Sequence, residues 1–404
     1  MKKLISLTLT LITILLALVS CTPSASPTTT PAQSSTPAQS STPTQNEIQT
    51  EKYFIAQYDD MCIYNSFIYY QTDYTRESTI KYQNLKNPHE NSVMLYNDTF
   101  GGEDPFKAVA DSFIIVDEKA TAENGGMPVL IIAMNTYKGD DIGTDFKIVR
   151  FDQAANTIKV IAEKTTGEKV NSAFLYGDTL YFQMWSKNEK EEYSFNYYKM
   201  NKDGGEITTL DNAIKTETEV LSIIGKTVYL LDSVAGMVYK TDINFESFEK
   251  ITKYSDICFE PYIADGFLYY ADKYREVDIE GNKVRVSDVY RKPLEGFKEA
   301  SPELIIENAV YARGYGSRIV YFEAGDSEFF KDRIFTVNKL PVLKLYDIST
   351  GNSTVLSDKR GGTENERHTG TIGCNADYIW YLCADGKYYF IDIQTNSISA
   401  FNKK

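Results

Sequence analysis

The sequence predicts an all-β fold, and the favoured architecture is a single β-propeller of seven four-stranded antiparallel blades. Two observations predict it. The chain holds 30 Tyr and 21 Phe, Val, Ile and Thr are frequent, and no long helical heptad pattern is present, which is a composition typical of strands. One short motif also recurs seven times at intervals of 40 to 66 residues, and such spacing is typical of propeller blades.

The recurring motif is a short turn with Gly, Asp, Asn or Ser, followed by an apolar pair, an aromatic or β-branched residue and another apolar residue. Each copy precedes a second unit that reads as a strand, a tight turn and a strand. The copies are NSFIYY (65–70), DSFIIV (111–116), GDTLYF (177–182), GKTVYL (225–230), DGFLYY (265–270), GSRIVYF (316–322) and ADYIWY (376–381).

Alignment of the seven copies superimposes one large residue from each. These residues are Tyr69, Ile115, Tyr181, Tyr229, Tyr269, Tyr321 and Trp380. We expect them to pack between neighbouring blades as core residues rather than to contact a cofactor. Six or eight blades are alternatives, and a two-sheet sandwich is the competing architecture, although it would not explain seven similar units.

The connections within the predicted blades differ in length. We label the strands of a blade A to D from the hub outward. The A-to-B turns are short, whereas the B-to-C connections of blades 2, 3, 5 and 6 are expanded. Propeller topology places all B-to-C connections on one face, so we expect these insertions to form a binding surface there.

The second repeated element carries a family resemblance. YYKMNKDGGE (197–206), VYKTDINFES (238–247) and VYRKPLEGF (289–297) resemble the repeat propellers found in lipoproteins of Firmicutes, a family of unknown function. FIIVDEK, in the second predicted blade, departs from the pattern because it lacks the aromatic residue. The resemblance implies a propeller over residues 51–404 and provides no catalytic residue.

The first 50 residues predict where the protein is located and how it is anchored to the membrane. Lys2 and Lys3 precede an apolar stretch that ends at Ser20 and Cys21, the order of a secretion signal. LVSC resembles the bacterial lipoprotein lipobox. This implies a signal peptide over residues 1–20 and a diacylglycerol on the Cys21 thiol; an uncleaved anchor helix is the alternative.

Residues 21–50 are rich in Ser, Thr and Pro, contain TPAQSS twice, and predict a disordered spacer. The expected location is therefore the extracytoplasmic face of the bacterial cell membrane. A Gram-positive cell is favoured and a Gram-negative envelope is the runner-up.

Composition argues against several functions. The formal charge of −14 would repel nucleic acid. His89 and His368 are the only histidines, which disfavours sites built on histidine clusters. NKDGGE (201–206), DIEGNK (278–283) and ISTGNS (348–353) are read as turns rather than calcium loops. We therefore expect no metal, no cofactor and no catalytic residue.

Four cysteines remain besides Cys21: Cys62, Cys258, Cys374 and Cys383. Their spacing lacks the density of a disulfide-stapled fold, so buried free thiols are expected. A Cys62–Cys374 disulfide is the alternative, because the strands that carry these residues would be neighbours in a closed ring.

The expanded connections supply candidate partner-binding residues, since Trp, Tyr and Arg dominate contact surfaces. They are Trp185 and Tyr193 in blade 3, Tyr274 and Arg275 in blade 5, and Phe329, Phe330, Arg333 and Phe335 in blade 6. The alternative is that these loops pack their aromatic side chains on their own blades.

The favoured function is non-catalytic binding of an envelope protein or a wall glycan. A polysaccharide hydrolase or lyase with a site at the hub is one alternative, and an accessory or sensory domain of a membrane complex is another. The apolar segment 52–57 has no place in the seven blades.

Overall fold

Antiparallel strands make up most of the part of the chain that the structure describes, which also contains one short helix. The structure is a computed structural model. It describes residues 53–55, 61–72, 79–87, 93–96, 109–138, 141–165, 167–188, 190, 192–211, 213–253, 261–279, 282–323, 342–357, 368–375, 377–383, 387–395 and 397–402. These residues lie in one structural unit, Thr50–Lys404.

Five separate blades are each built from four consecutive strands that pair in order. The first blade is β2 (Met61–Tyr64), β3 (Phe67–Gln71), β4 (Ile80–Asn84) and β5 (Val93–Tyr96). The second is β6 (Val109–Val116), β7 (Val129–Lys138), β8 (Asp141–Asp152) and β9 (Thr157–Thr165). The third is β10 (Lys169–Tyr176), β11 (Thr179–Lys187), β12 (Tyr193–Asn201) and β13 (Thr208–Leu210).

The fourth blade is β14 (Glu219–Ile224), β15 (Thr227–Asp232), β16 (Met237–Asp242) and β17 (Phe248–Lys253). The final blade is β25 (His368–Cys374), β26 (Tyr378–Cys383), β27 (Lys387–Asp392) and β28 (Ile398–Asn402). Between them lies one seven-stranded sheet of β18 (Tyr262–Ala264), β19 (Phe267–Ile279), β20 (Asn282–Pro293), β21 (Glu303–Tyr315), β22 (Arg318–Glu323), β23 (Val342–Asp347) and β24 (Asn352–Ser357).

The predicted all-β propeller with four-stranded antiparallel blades is confirmed, but the predicted number of seven separate blades is wrong, as are six and eight. Five blades are separate, and the segments expected to form blades 5 and 6 share one continuous sheet. The reason is the length of β21. Its first half pairs with β20, its second half pairs with β22, and the strand changes direction at Asn308, where φ is 57°.

An additional strand occupies the hub. β1 (Tyr53–Ile55) pairs antiparallel with β10, the innermost strand of the third blade, so that Tyr53 lies opposite Tyr176 and Ile55 opposite Phe174. The segment that had no place in the predicted blades is therefore an inner fifth strand of the third blade. Ile55 packs on the cluster of buried residues between the third and fourth blades.

The second blade differs from its predicted layout. DSFIIV was expected to follow the A-to-B turn, but it lies in β6, the innermost strand. The A-to-B connection is the longer segment after it and contains helix α1 (Glu118–Glu123), capped by the Asp117 carboxylate, which accepts the Ala120 N–H at 3.1 Å. This insertion therefore lies on the A-to-B face, opposite the face predicted for it.

The aligned large residues are buried between sheets, as predicted. None of them has more than 8% of its surface exposed to solvent. The residues are Tyr69, Ile115, Tyr181, Tyr229, Tyr269, Tyr321 and Trp380. Full burial of such a side chain contributes about 1.5 to 3 kcal/mol. The ring closes through a cluster that joins the final and first blades and includes Trp380 and Tyr70.

The carboxylate that recurs at the end of strand C has a structural role. Asp242, Asp347 and Asp392 each accept backbone N–H groups of the C-to-D turn, at 2.8 to 3.0 Å for the shortest bonds. These are Asx turns, in which the side chain replaces a backbone acceptor. The acidic position of the repeat therefore terminates strand C and stabilises the turn that follows it.

Candidate functional site

The clearest exposed aromatic surface lies at the far end of the third blade. β11 and β12 pair along nine residues each, and β15 of the fourth blade has six. Because β11 and β15 both start just after an A-to-B turn, β11 continues further toward the B-to-C face. Tyr181 on β11 is buried against the fourth blade, whereas Trp185 on the same side of the strand is half-buried. The predicted insertion is thus a projecting hairpin.

Trp185 and Tyr193 contact one another on this hairpin. Their ring centroids are 5.4 Å apart and meet edge to face, and Tyr193 is 59% exposed. Two lysines flank the pair: the Lys169 Nζ lies 5.1 Å from the Trp185 ring and the Lys187 Nζ lies 5.6 Å from the Tyr193 ring. We call these four residues the aromatic hairpin patch. It combines flat apolar faces with two ammonium groups.

The other predicted candidates do not join this patch. Arg275 lies on a separate hairpin formed by β19 and β20, where its guanidinium donates to the Asp288 carboxylate at 3.0 Å and to the Asn308 side chain at 2.8 Å. It therefore holds β19 to β20 and to the bend in β21. Tyr274 lies opposite Ser287 in the same hairpin. Phe329, Phe330, Arg333 and Phe335 lie outside the described residues.

A second feature, which the sequence did not predict, is a cavity of about 630 Å³ at the hub. It is lined by β1, β14, β18, the A-to-B turn after β18, the end of β21, and Glu118 of α1. We call it the hub cavity. Its lining residues come from distant parts of the sequence, so no local motif could have identified it.

A charged cluster joins the second and third blades on the A-to-B face. The Lys202 Nζ lies 2.8 Å from the Asp117 carboxylate and 3.3 Å from that of Asp178, and Arg150 donates to Asp117 at 3.1 Å. The Asp117 and Lys202 side chains are 1% and 5% exposed. Every charge in the cluster faces an opposite charge, which is typical of a structural ion-pair network.

Burial alone would raise the pKa of Asp117, but hydrogen bonds from Lys202, the Ala120 N–H and Arg150, with the Lys202 charge, outweigh it and lower the pKa. Burial likewise opposes the charged form of Lys202, yet Asp117 and Asp178 raise its pKa. Both groups are therefore ionised at neutral pH. Neither has the pKa near neutrality that a proton-transfer group needs.

The two described thiols are free and buried. Cys62 packs between the first and second blades, whereas Cys374 packs against β22 and β23 of the seven-stranded sheet. The alternative of a Cys62–Cys374 disulfide is wrong for this physical reason: the side chains point into different clusters. Burial raises the pKa of Cys62 far above its ordinary value and that of Cys374 to about 12.

Within the described part of the chain, no helix is long and apolar enough to span a membrane. Among the same residues, no three His, Cys, Asp or Glu side chains converge in a way that could hold a metal ion.

Comparisons with known proteins find likenesses among solved structures. No family model and no curated protein matches the sequence. A prolyl endopeptidase structure aligns with a TM-score of 0.52 and 11% identity over 87% of this chain and 50% of that chain. A puromycin-hydrolyzing peptidase of Mycobacterium tuberculosis aligns with a TM-score of 0.52 and 9% identity, over 86% of this chain and 54% of that chain.

The β-propeller domain of the Trilobed protease from Pyrococcus furiosus aligns with a TM-score of 0.42 and 12% identity over 67% of this chain and 79% of that chain. This chain spans about half the length of the prolyl endopeptidase and the puromycin-hydrolyzing peptidase. At such low identities the likeness concerns the fold alone. The blades described above themselves identify a β-propeller repeat domain.

Proposed function

We propose that this protein is a lipid-anchored, cell-surface propeller of a Gram-positive bacterium that binds an anionic wall glycan through the aromatic hairpin patch, without catalysis. The observation that carries the proposal is the contact between half-buried Trp185 and exposed Tyr193, with Lys169 and Lys187 beside them. Exposed aromatic faces contribute apolar contact area. The two ammonium groups add attraction to anions.

We favour a glycan over a protein partner because the positive charges of the patch come from lysines, not arginines. Lysine is depleted in the cores of protein interfaces, where arginine is enriched, but it is a common ligand of phosphate groups. Of the two candidate arginines, Arg275 and Arg333, the structure describes Arg275, which is engaged with Asp288 and Asn308. A polymer that carries sugars and phosphate matches the patch better than a protein surface does.

The experiment is cosedimentation of the full-length lipidated protein, in vesicles, with purified Gram-positive cell walls. One sample of walls is intact and another is stripped of its phosphate polymer. We expect binding to intact walls that falls at least about tenfold for Trp185→Ala/Tyr193→Ala and for Lys169→Gln/Lys187→Gln, because aromatic stacking and charge each contribute on the order of a kcal/mol or more.

Lys226→Gln, an exposed lysine in an A-to-B turn, is the matched control and should bind normally. Equal binding to stripped walls, or unchanged binding of both patch variants, would contradict the proposal. Binding only when a protein fraction is added would indicate an envelope protein instead. Release of soluble sugar from the walls would favour a hydrolase or lyase.

A further inference from the structure

The hub cavity combines carboxylates with exposed apolar and aromatic surface. Its lining includes Glu118, Asp265, Tyr262, Tyr315, Ile55 and Ile224. Tyr315 and Ile224 are 39% and 45% exposed, although both are large side chains in a fold that buries most of its aromatic residues. No lysine or arginine is among the described residues that line the cavity.

The aromatic wall of the cavity is held in place by its neighbours. A Cβ on Gly314 would lie 2.2 Å from the Tyr262 ring, so only glycine allows this ring to pack on β21. The Tyr262 hydroxyl donates to the Gly316 carbonyl. Both ends of the Tyr262 side chain are therefore fixed, and Tyr315 follows Gly314 directly. Tyr262 and Tyr315 therefore form one side of the cavity before any ligand binds.

The acidic wall comes from another blade. Glu118 is the first residue of α1, half-buried, and reaches the cavity from the A-to-B connection of the second blade. Burial raises the pKa of Tyr315, and the negative charge of Glu118 raises it further; the same two causes act on Tyr64 of the first blade. The Glu118 carboxylate and the Tyr315 phenol line the same cavity, although they come from different blades.

The neighbouring lysine does not neutralise this carboxylate. The Lys119 Nζ points to Asp178 of the third blade, at 3.5 Å. A carboxylate and aromatic side chains that line one cavity, with apolar residues around them, are the groups that bind ammonium ions through charge and cation–π attraction.

We propose that the hub cavity is a binding site for a small organic cation, a primary or quaternary ammonium with a short apolar body. Glu118 pairs with the cationic nitrogen, the Tyr262 and Tyr315 rings contact its methyl or methylene groups, and Ile55 and Ile224 contact the apolar body. This site is separate from the aromatic hairpin patch, because it opens at the A-to-B end of the hub. It does not depend on the proposed glycan binding.

The test uses choline and its neutral isostere 3,3-dimethyl-1-butanol, titrated calorimetrically into the full-length protein. The two probes have the same shape and differ only in charge. We expect choline to bind at least about tenfold more tightly, the ratio that corresponds to about 1.4 kcal/mol. Equal affinity for both probes, or no binding of either, would overturn the proposal.

Three variants separate the contributions. Glu118→Gln should abolish the preference for choline, and Tyr315→Ala should weaken choline binding, whereas Tyr315→Phe should retain it because the ring face, not the hydroxyl, makes the contact. Glu123→Gln is the matched control, since Glu123 is exposed at the other end of the same helix. Unchanged choline affinity in Glu118→Gln would contradict the assigned role.

An ammonium group can belong to a free amine or to a lipid headgroup. Vesicles with and without phosphatidylethanolamine distinguish these sources when added to the choline titration. Competition only by the amine-containing vesicles identifies a headgroup ligand, and absence of competition identifies a free cation. Both results presuppose that choline itself binds. The wall-binding experiment is independent, so failure of one proposal leaves the other intact.

Discussion

The Lys202 Nζ lies 2.8 Å from the Asp117 carboxylate, across the boundary between the third and second blades, and the two residues are 85 positions apart in the sequence. Asp117 also caps α1 through the Ala120 N–H. One buried carboxylate therefore joins two blades and fixes the start of the helix that carries Glu118 into the hub cavity.

Removal of one partner of this pair should destabilise the propeller strongly. Lys202→Met removes the nearer of the two cations that contact the 1% exposed Asp117 carboxylate, and loss of a hydrogen bond between charged groups costs about 1.5 to 3 kcal/mol. Denaturant unfolding measures the loss. Lys119→Gln is the control, because its pair with Asp178 is exposed and worth about 0 to 1 kcal/mol. Equal effects of both variants would contradict this account.

The same pair predicts acid sensitivity. The pKa of Asp117 is lowered in the folded protein, so the carboxylate stabilises the fold fully above its unfolded pKa of about 3.9 and loses this contribution as pH falls toward the folded pKa. The free-energy difference between wild type and Asp117→Asn should therefore be largest near neutral pH and shrink below about pH 4. Unfolding by urea at several pH values measures it, and a constant difference would refute the prediction.

Gly373 on β25 lies directly opposite Trp380 on β26, and a Cβ at Gly373 would come within 2.5 Å of the indole. Gly373→Ala should destabilise the fold by about 1 to 3 kcal/mol, since overpacking displaces a large buried ring. Thermal unfolding tests this. In a Trp380→Phe background, the smaller ring should make the same glycine substitution less costly; an undiminished cost would argue against a clash with the indole.

Cys62 and Cys374 should resist alkylation in the native protein at mildly alkaline pH. Both are buried, and burial raises the pKa of each thiol, so neither an accessible surface nor a thiolate is present. Peptide mass spectrometry after iodoacetamide treatment, with and without denaturant, measures this. We expect modification of these two peptides only in denaturant. Native modification, or a disulfide-linked pair, would contradict the structure.

Much of the fold is encoded locally. The recurrent Gly, Asp and Asn turns mark the hairpins, and large residues such as Tyr69, Tyr269 and Trp380 are buried where the aligned repeats place them. The second blade misled the prediction, because DSFIIV begins with two turn-forming residues but Ser112 lies buried in β6, where its hydroxyl donates to Gln71 at 3.0 Å. Tertiary burial overrode the local signal.

The sequence predicted some of the candidate site residues better than others. Trp185 and Tyr193 are recognisable in the sequence because a β hairpin brings nearby residues together. Arg275 was a reasonable candidate by residue type, but its engagement with Asn308, 33 positions later, depends on the bend in β21. Residue type alone does not distinguish a free arginine from one that joins strands.

The sequence by itself determined most of the strands, most of their turns and the large residues aligned in the core, because these follow from side-chain alternation and turn chemistry over a few neighbouring positions. Only the tertiary structure decided that β1 pairs with β10 in the hub, that β21 pairs with strands on both of its sides, and that Glu118 and Tyr315 line one cavity. These relationships depend on backbone pairing and on packing between distant segments, and backbone hydrogen bonds carry no signature in the amino-acid sequence.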